Sequence, residues 1–174
     1  PQTMLPDVEA VRPALAIKQR LVACGWQEAI TFSFVSSAWE SMLYPARDGR
    51  TAPIAVTNPI AAHLDVMRTT LAGGLLDVLR TNLARKHERV RVIETGRCFW
   101  RARQGYDQPL RLGGLAYGDV FPEQWGCPSR SIDLFDVKGD LEGLVGSRTL
   151  TTVRAEHALL HPGRAASVLV DGSP

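Results

Sequence analysis

Several clusters of side chains in this chain have the chemistry for a metal site, a nucleophile or a phosphate cradle, and each also has a structural reading. His157 and His161 lie four apart, a spacing that puts two metal ligands on one face of a helix. Pro162-Gly163 follows at once and no carboxylate sits between them, so His161 reads as ordering a strand entry. Asp133, Asp136 and Asp140 resemble a magnesium cluster, but Asp133 or Asp136 as a helix N-cap is the better account. Ser36, Ser37 and Ser41 surround a short helix signal in which Ser37 and Glu40 match a capping box, a role that explains them better than catalysis does. Gly113-Gly114 and Gly118 have neither the spacing nor the lysine of a phosphate loop, and mark a strand packed closely on its neighbour.

The stretch from Met67 to Trp100 carries more information. Leu71, Leu75, Leu79 and Leu83 recur every four residues, widened by Leu76 and Val78, which predicts a helix of about four turns with one buried face. Thr69 or Thr70 can cap its start. Gly73 and Gly74 each cost about 1 kcal/mol against alanine inside a helix, so close backbone packing is expected there. After Arg85-Lys86-His87, Val90 and Val92 alternate into Ile93-Glu94-Thr95-Gly96, which reads as a strand entering a tight turn, with Cys98-Phe99-Trp100 starting the return strand.

These elements need a scaffold. Ile17, Leu21 and Cys24 form an apolar stripe ended by Gly25, and Pro13 fixes the helix start near itself. Ile30, Phe32 and Phe34 alternate with Thr31 and Ser33, as in a strand. A loop with Pro45 and Gly49 leads to a short strand near Ile54 to Val56. The fold class expected is α/β of the α+β type, a mainly antiparallel sheet with helices packed on one side. Trp39, Trp100 and Trp125 read as core or interface anchors, and Trp26, beside the helix stop, as the indole best placed to pack at a partner surface.

Twenty basic against eighteen acidic side chains leave a formal charge of +2, so no global field directs the chain to nucleic acid. Arg80, Arg85, Lys86, Arg89, Arg91, Arg97, Arg101 and Arg103 do concentrate around the helix end and hairpin. They read either as a solvated rim or as a surface meeting an acidic partner or a nucleic-acid backbone. Cys24, Cys98 and Cys127 are odd in number and lack metal-site spacing. No signal peptide or membrane-length apolar run accompanies them, which points to reduced thiols in a cytoplasmic protein. At 174 residues, with a first residue other than methionine, the chain is expected to be one domain, residues 1–174, cut at both ends from a longer subunit. The terminal Val170-Asp171-Gly172-Ser173-Pro174 reads as a strand and turn whose partner is missing, and the interval between Asp140 and His161 is short enough to suggest a trimmed loop.

The central stretch resembles the class II aminoacyl-tRNA synthetase core, and most closely the non-catalytic core-like module of the bacterial phenylalanyl-tRNA synthetase beta subunit. Four further blocks resemble that module in the same order: Lys18 to Glu40, the Asn-Pro loop and Met-Arg-Thr-Thr sequence within Val56 to Thr70, Ser131 to Val145, and the His-Pro-Gly entry of His161 to Gly172. In a catalytic member the hairpin carries a glycine, a phenylalanine, an arginine that holds the ATP α-phosphate and, two residues on, a glutamate. Here Gly96 and Phe99 match, but Trp100 takes the arginine place and Ala102 the glutamate place. Arg101 is one residue out of register and so faces the other way. An indole supplies neither the charge nor the paired donors of a guanidinium.

The resemblance implies a structural and subunit-interface module that is itself non-catalytic and holds no cofactor. It implies that the whole ligase attaches phenylalanine to its tRNA with ATP and magnesium, as a cytoplasmic assembly of two alpha and two beta subunits. The partners expected are the catalytic alpha subunit, the second beta subunit and, for the whole enzyme, tRNA, with no membrane. Contact is expected over Pro13 to Val35, through Leu21, Trp26, Phe32 and Phe34. The competing reading is a free-standing class II-like nucleotide-binding enzyme with an atypical site. An RNA-binding module is weaker still, since no aromatic-basic stripe is present.

Overall fold

The computed structural model describes residues 13–43, 53–102, 104–157 and 160–173. The Pro45–Gly49 loop and Arg103 lie outside them. Helix α1 (Pro13–Ala23) ends at Gly25, whose φ of +85° makes the turn a glycine position, and leads to strand β1 (Gln27–Glu28). A short strand β2 (Phe34–Val35) enters helix α2 (Ser37–Leu43) and pairs antiparallel with β3 (Val66–Met67). Helix α3 (Ala72–Ala84) then leads to the long strand β4 (Val90–Arg97).

β4 is the centre of a three-stranded sheet, parallel to β1 on one side and antiparallel to β7 (Leu110–Tyr117) on the other. Because strand side chains alternate, Val90, Val92 and Glu94 face one way and Ile93 the other. Val90 and Val92 join Leu71 and Leu75 of α3 in one buried cluster, while Ile93 joins Leu21 and Trp26 in a second, against which Leu144 of α4 (Leu134–Val145) packs. Helices therefore cover both faces of the sheet rather than the one face expected, since β4 is apolar at both parities.

The tight turn expected at Gly96 is absent. β4 runs through Gly96 and Arg97 in unbroken register, with Gly96 opposite Arg111 and Arg97 opposite Leu110. The chain reverses later, in a small hairpin of β5 (Trp100–Arg101) and β6 (Tyr106–Asp107), where Gly105 has φ +74°. The strand expected over Ile30 to Phe34 is likewise reduced to Phe34–Val35, and that near Ile54 to Val56 to a single bridge, Ala55 to Val66.

At the C-terminal end, β8 (Leu150–Arg154) and β9 (Ala166–Val170) pair over five residues, so the last strand has the partner that the sequence reading left missing. His161 sits in the turn before β9, its Nδ1 accepting from the Gly163 N–H at 3.1 Å. Asp133 is the N-cap of α4 and forms a reciprocal capping box with Asp136, as the sequence suggested. The other expected box does not form: Ser37 N–H donates to Asp65 Oδ1 at 2.9 Å, and Glu40 turns into the core. Thr69 is also withdrawn from capping, while the Thr70 hydroxyl accepts from Ala72 N–H at 3.1 Å. Trp125 is fully exposed and is no core anchor.

Candidate functional site

Behind β4 lies a buried polar group that sequence reasoning passed over. Arg68 Nη1 donates to Glu94 Oε1 at 2.6 Å, both side chains being almost inaccessible. The same guanidinium donates through Nε to the Arg97 carbonyl at 2.9 Å and through Nη1 to Thr31 Oγ1 at 3.1 Å. Thr31 in turn donates its hydroxyl to Glu94 Oε2 at 2.7 Å. A buried ion pair holds only when its remaining donors and acceptors are satisfied, and here Thr31 and the Arg97 carbonyl supply partners. Two glycines make the room: a Cβ on Gly96 would lie 2.0 Å from Arg68 Nη2, and one on Gly74 would lie 2.2 Å from Thr31 Oγ1. The legible signal was Glu94, whose parity in β4 matches that of the apolar Val90 and Val92.

This network fixes which side of the 29–33 segment faces inward. With Thr31 drawn to Glu94, Ile30 and Phe32 are left 89% and 73% exposed. An open groove of about 570 Å³ adjoins them, walled by Phe34, Val35, Trp39, Leu43, Leu64 and Val78, with Glu40 in the wall. Thr69 donates its backbone N–H to Glu40 Oε2 at 3.0 Å and its hydroxyl to the same oxygen. Burial pushes the Glu40 carboxyl above its ordinary value, against the opposing pull of the Thr69 bonds and the Arg68 charge.

The four interface candidates divide. Leu21 and Trp26 belong to the core of this chain, Trp26 only 5% exposed with its indole Nε1 donating to Asp140 Oδ2 at 2.8 Å. Neither side chain reaches the surface, because the inner faces of α1 and α4 close over them. Phe32 is on the surface and Phe34 is half-buried in the groove wall.

The hairpin forms a second, smaller cleft of about 350 Å³, bordered by Thr69, Thr70, Leu75, Cys98, Trp100 and Arg111. The Arg111 guanidinium lies over the Trp100 ring, 5.7 Å from its centroid. Ala102 closes the hairpin through its N–H to the Gly105 carbonyl at 3.2 Å.

Four cations of the basic cluster are engaged within the chain. Arg89 donates to the Asp119 and Val120 carbonyls, and Arg91 lies over the Trp26 ring and donates to the Cys24 carbonyl. Arg97 donates to the Gln108 carbonyl, and Arg80 pairs with Asp77 at 3.0 Å. Among the described residues, no three His, Cys, Asp or Glu side chains come together as a metal site, and no helix is long and apolar enough to cross a membrane.

Residues 6–174 match the family described as the phenylalanyl tRNA synthetase beta chain CLM domain. The chain belongs to that family. Among relatives of this beta-chain domain, the phenylalanine-tRNA ligase beta subunit of Ralstonia nicotianae is 46% identical over 178 residues, covering 97% of this chain and 22% of that one. That of Thiobacillus denitrificans is 50% identical over 172 residues, covering 99% and 21%. The chain thus spans about a fifth of the length of the curated relatives it matches. In fold, it is similar to a pyrrolysyl-tRNA synthetase of Desulfitobacterium hafniense, with a TM-score of 0.53 at 15% identity over 90% of this chain and 52% of that one. The α+β class II synthetase-like core expected from the hairpin and its flanking helices is therefore the fold observed.

Proposed function

We propose that this domain is a non-catalytic, class II-like scaffold within a phenylalanine-tRNA ligase, and that its outward face at Ile30, Phe32 and the adjoining groove docks the catalytic alpha subunit. The observation that carries this is the orientation of the 29–33 segment, which spends its polar Thr31 on the buried Arg68–Glu94 pair and presents its large apolar side chains to solvent. Exposed apolar side chains grouped beside a concave apolar wall mark a partner surface. Leu21 and Trp26 drop out of the earlier interface set, and Phe32 and Phe34 remain.

The hairpin supports the non-catalytic part of this reading. A triphosphate needs several charged, bidentate donors, whereas the cleft offers the Trp100 indole and the single Arg111 guanidinium laid over it, so the residues present do not fit the nucleotide. ATP, magnesium and the tRNA acceptor end belong on this reading to the alpha subunit, in a cytoplasmic assembly of two alpha and two beta subunits. Full-length beta subunit carrying Phe32→Asp, mixed with alpha and followed by light scattering during size-exclusion chromatography, tests it. Loss of the heteromeric peak with a folded beta subunit is the expected result. An undiminished peak would remove the docking face from this segment.

A further inference from the structure

The groove contains a carboxylate, Glu40, that only one residue, Thr69, hydrogen-bonds among the described residues. Glu40 is 2% exposed, yet both hydrogen bonds from Thr69 go to Oε2, and among the described residues Oε1 accepts none. Arg68 is bonded to Glu94, Thr31 and the Arg97 carbonyl and reaches Glu40 only through its charge, Arg80 pairs with Asp77 at the exposed rim, and His63 lines the groove with no hydrogen bond to Glu40 among the described residues. Around Glu40 the wall is apolar, formed by Phe34, Val35, Leu43 and Val78, and Ile30 and Phe32 stand exposed at its mouth.

We infer that the groove receives a lysine or arginine side chain borne on an apolar segment of the alpha subunit, its methylene stem against the apolar wall and its cationic head on Glu40. Such side chains suit this shape because their stems bury well while their heads need a charged acceptor. A neutral apolar insert would leave the carboxylate desolvated further with nothing gained. A cation lowers that cost, and burial already pushes the Glu40 carboxyl upward, the direction an approaching positive charge reverses. The inference rests on the interface reading above and adds to it the chemistry of what docks.

The test uses full-length beta subunit and intact alpha subunit, with affinity measured for wild type, Glu40→Gln, Glu40→Asp and Phe32→Asp. Glutamine keeps an acceptor for Thr69 but removes the charge, so E40Q should weaken association about thirtyfold or more, the loss typical when one partner of a buried charged pair is truncated. E40D, which keeps the charge, should stay nearer to wild type and supplies the comparison should E40Q unfold. If E40Q binds as tightly as wild type while F32D binds weakly, no cation sits on Glu40 and this inference fails with the interface reading intact. If neither substitution matters, the interface reading itself fails. Hydrogen exchange at the Ile30 and Phe32 amides, which lie outside the hydrogen-bonded α2 helix, should slow only in the complex. Full protection in the free beta subunit would mean that another part of the beta chain fills the groove, and would overturn the inference.

Discussion

Arg68 and Glu94 form a buried ion pair at 2.6 Å that joins the segment before α3 to the centre of the sheet. Removing one partner leaves the other charged, desolvated and unpaired, so Arg68→Ala or Glu94→Ala should destabilise the domain by about 3–5 kcal/mol. Replacing both together by methionine should cost less than the sum of the two single changes, since no orphan charge is left. Urea denaturation of the three variants measures this, and additive losses would mean that the pair is not coupled.

Gly73 and Gly74 are neighbours in α3, but alanine should act differently at each. At Gly73 the new Cβ meets only Leu43 Cδ1, at 3.1 Å, the end of a flexible side chain. At Gly74 it meets Thr31 Oγ1 at 2.2 Å and Thr31 Cβ at 2.9 Å. Gly73→Ala should therefore be near neutral, the helix gain of about 1 kcal/mol offsetting a small shift. Gly74→Ala should lose about 1–3 kcal/mol through overpacking, and should release Thr31 from Glu94. Thermal melts of the two variants side by side decide it.

Trp26 and Asp140 tie α1 to α4 through the indole N–H, with Arg91 over the ring. Trp26→Phe keeps an aromatic body but removes the donor to a partly buried carboxylate. A loss of about 1.5–3 kcal/mol is expected, the range for hydrogen bonds to charged groups. Asp140→Asn should lose less in the Trp26→Phe background than in the wild type, the remainder being its pairing with Arg91 at 3.9 Å. A second full loss would show that the two side chains act independently.

Much of this was legible in the sequence because it is local. The leucines recurring every four residues gave α3, the Asp133-Asp136 spacing gave the α4 cap, and the Gly113-Gly114 pair gave a closely packed strand, whose neighbours prove to be Leu71 and Trp26. What escaped was the choice between inside and outside for single residues. Alternation over Ile30 to Phe34 suggested that the apolar set faces inward, but Thr31 has charged partners 37 and 63 residues away, Arg68 and Glu94, that outweigh that pattern. Glu40 matched a local capping box for the same reason, whereas its true partner is Thr69, 29 residues on. Long-range polar pairs leave no period to read.

Two carboxyls should give the domain opposite pH responses. Burial lifts Glu40 above its ordinary 4.5, so the folded state binds that proton more tightly than the unfolded state does. Stability from this group is full below about 4.5 and is lost as pH rises through the folded value. Asp136 is the reverse: the Arg130 guanidinium, aided by the Asp133 backbone N–H, holds it well below its ordinary 3.8. Its contribution is present above 3.8 and is lost as pH falls below that. Denaturant melts across the acid range should show E40Q gaining on wild type as pH rises. D136N should close its deficit as pH falls. Parallel curves for all three proteins would contradict both assignments.

Magnesium ATP titrated into the folded domain should give no saturable heat in the micromolar range. On the proposed scaffold reading, Trp100 and Ala102 take the arginine and glutamate places of the hairpin, and the guanidinium that borders the cleft, Arg111, comes from β7 and lies over the indole. One guanidinium at a cleft mouth is a single point of charge, without the second donor set and metal-holding carboxylate that a triphosphate requires. Trp100→Arg with Ala102→Glu returns both groups to the hairpin, so weak nucleotide binding that appears only in the double variant would locate the defect there. Micromolar binding by the wild-type domain, abolished by Arg111→Ala, would instead favour a nucleotide-binding role for this cleft over the scaffold reading.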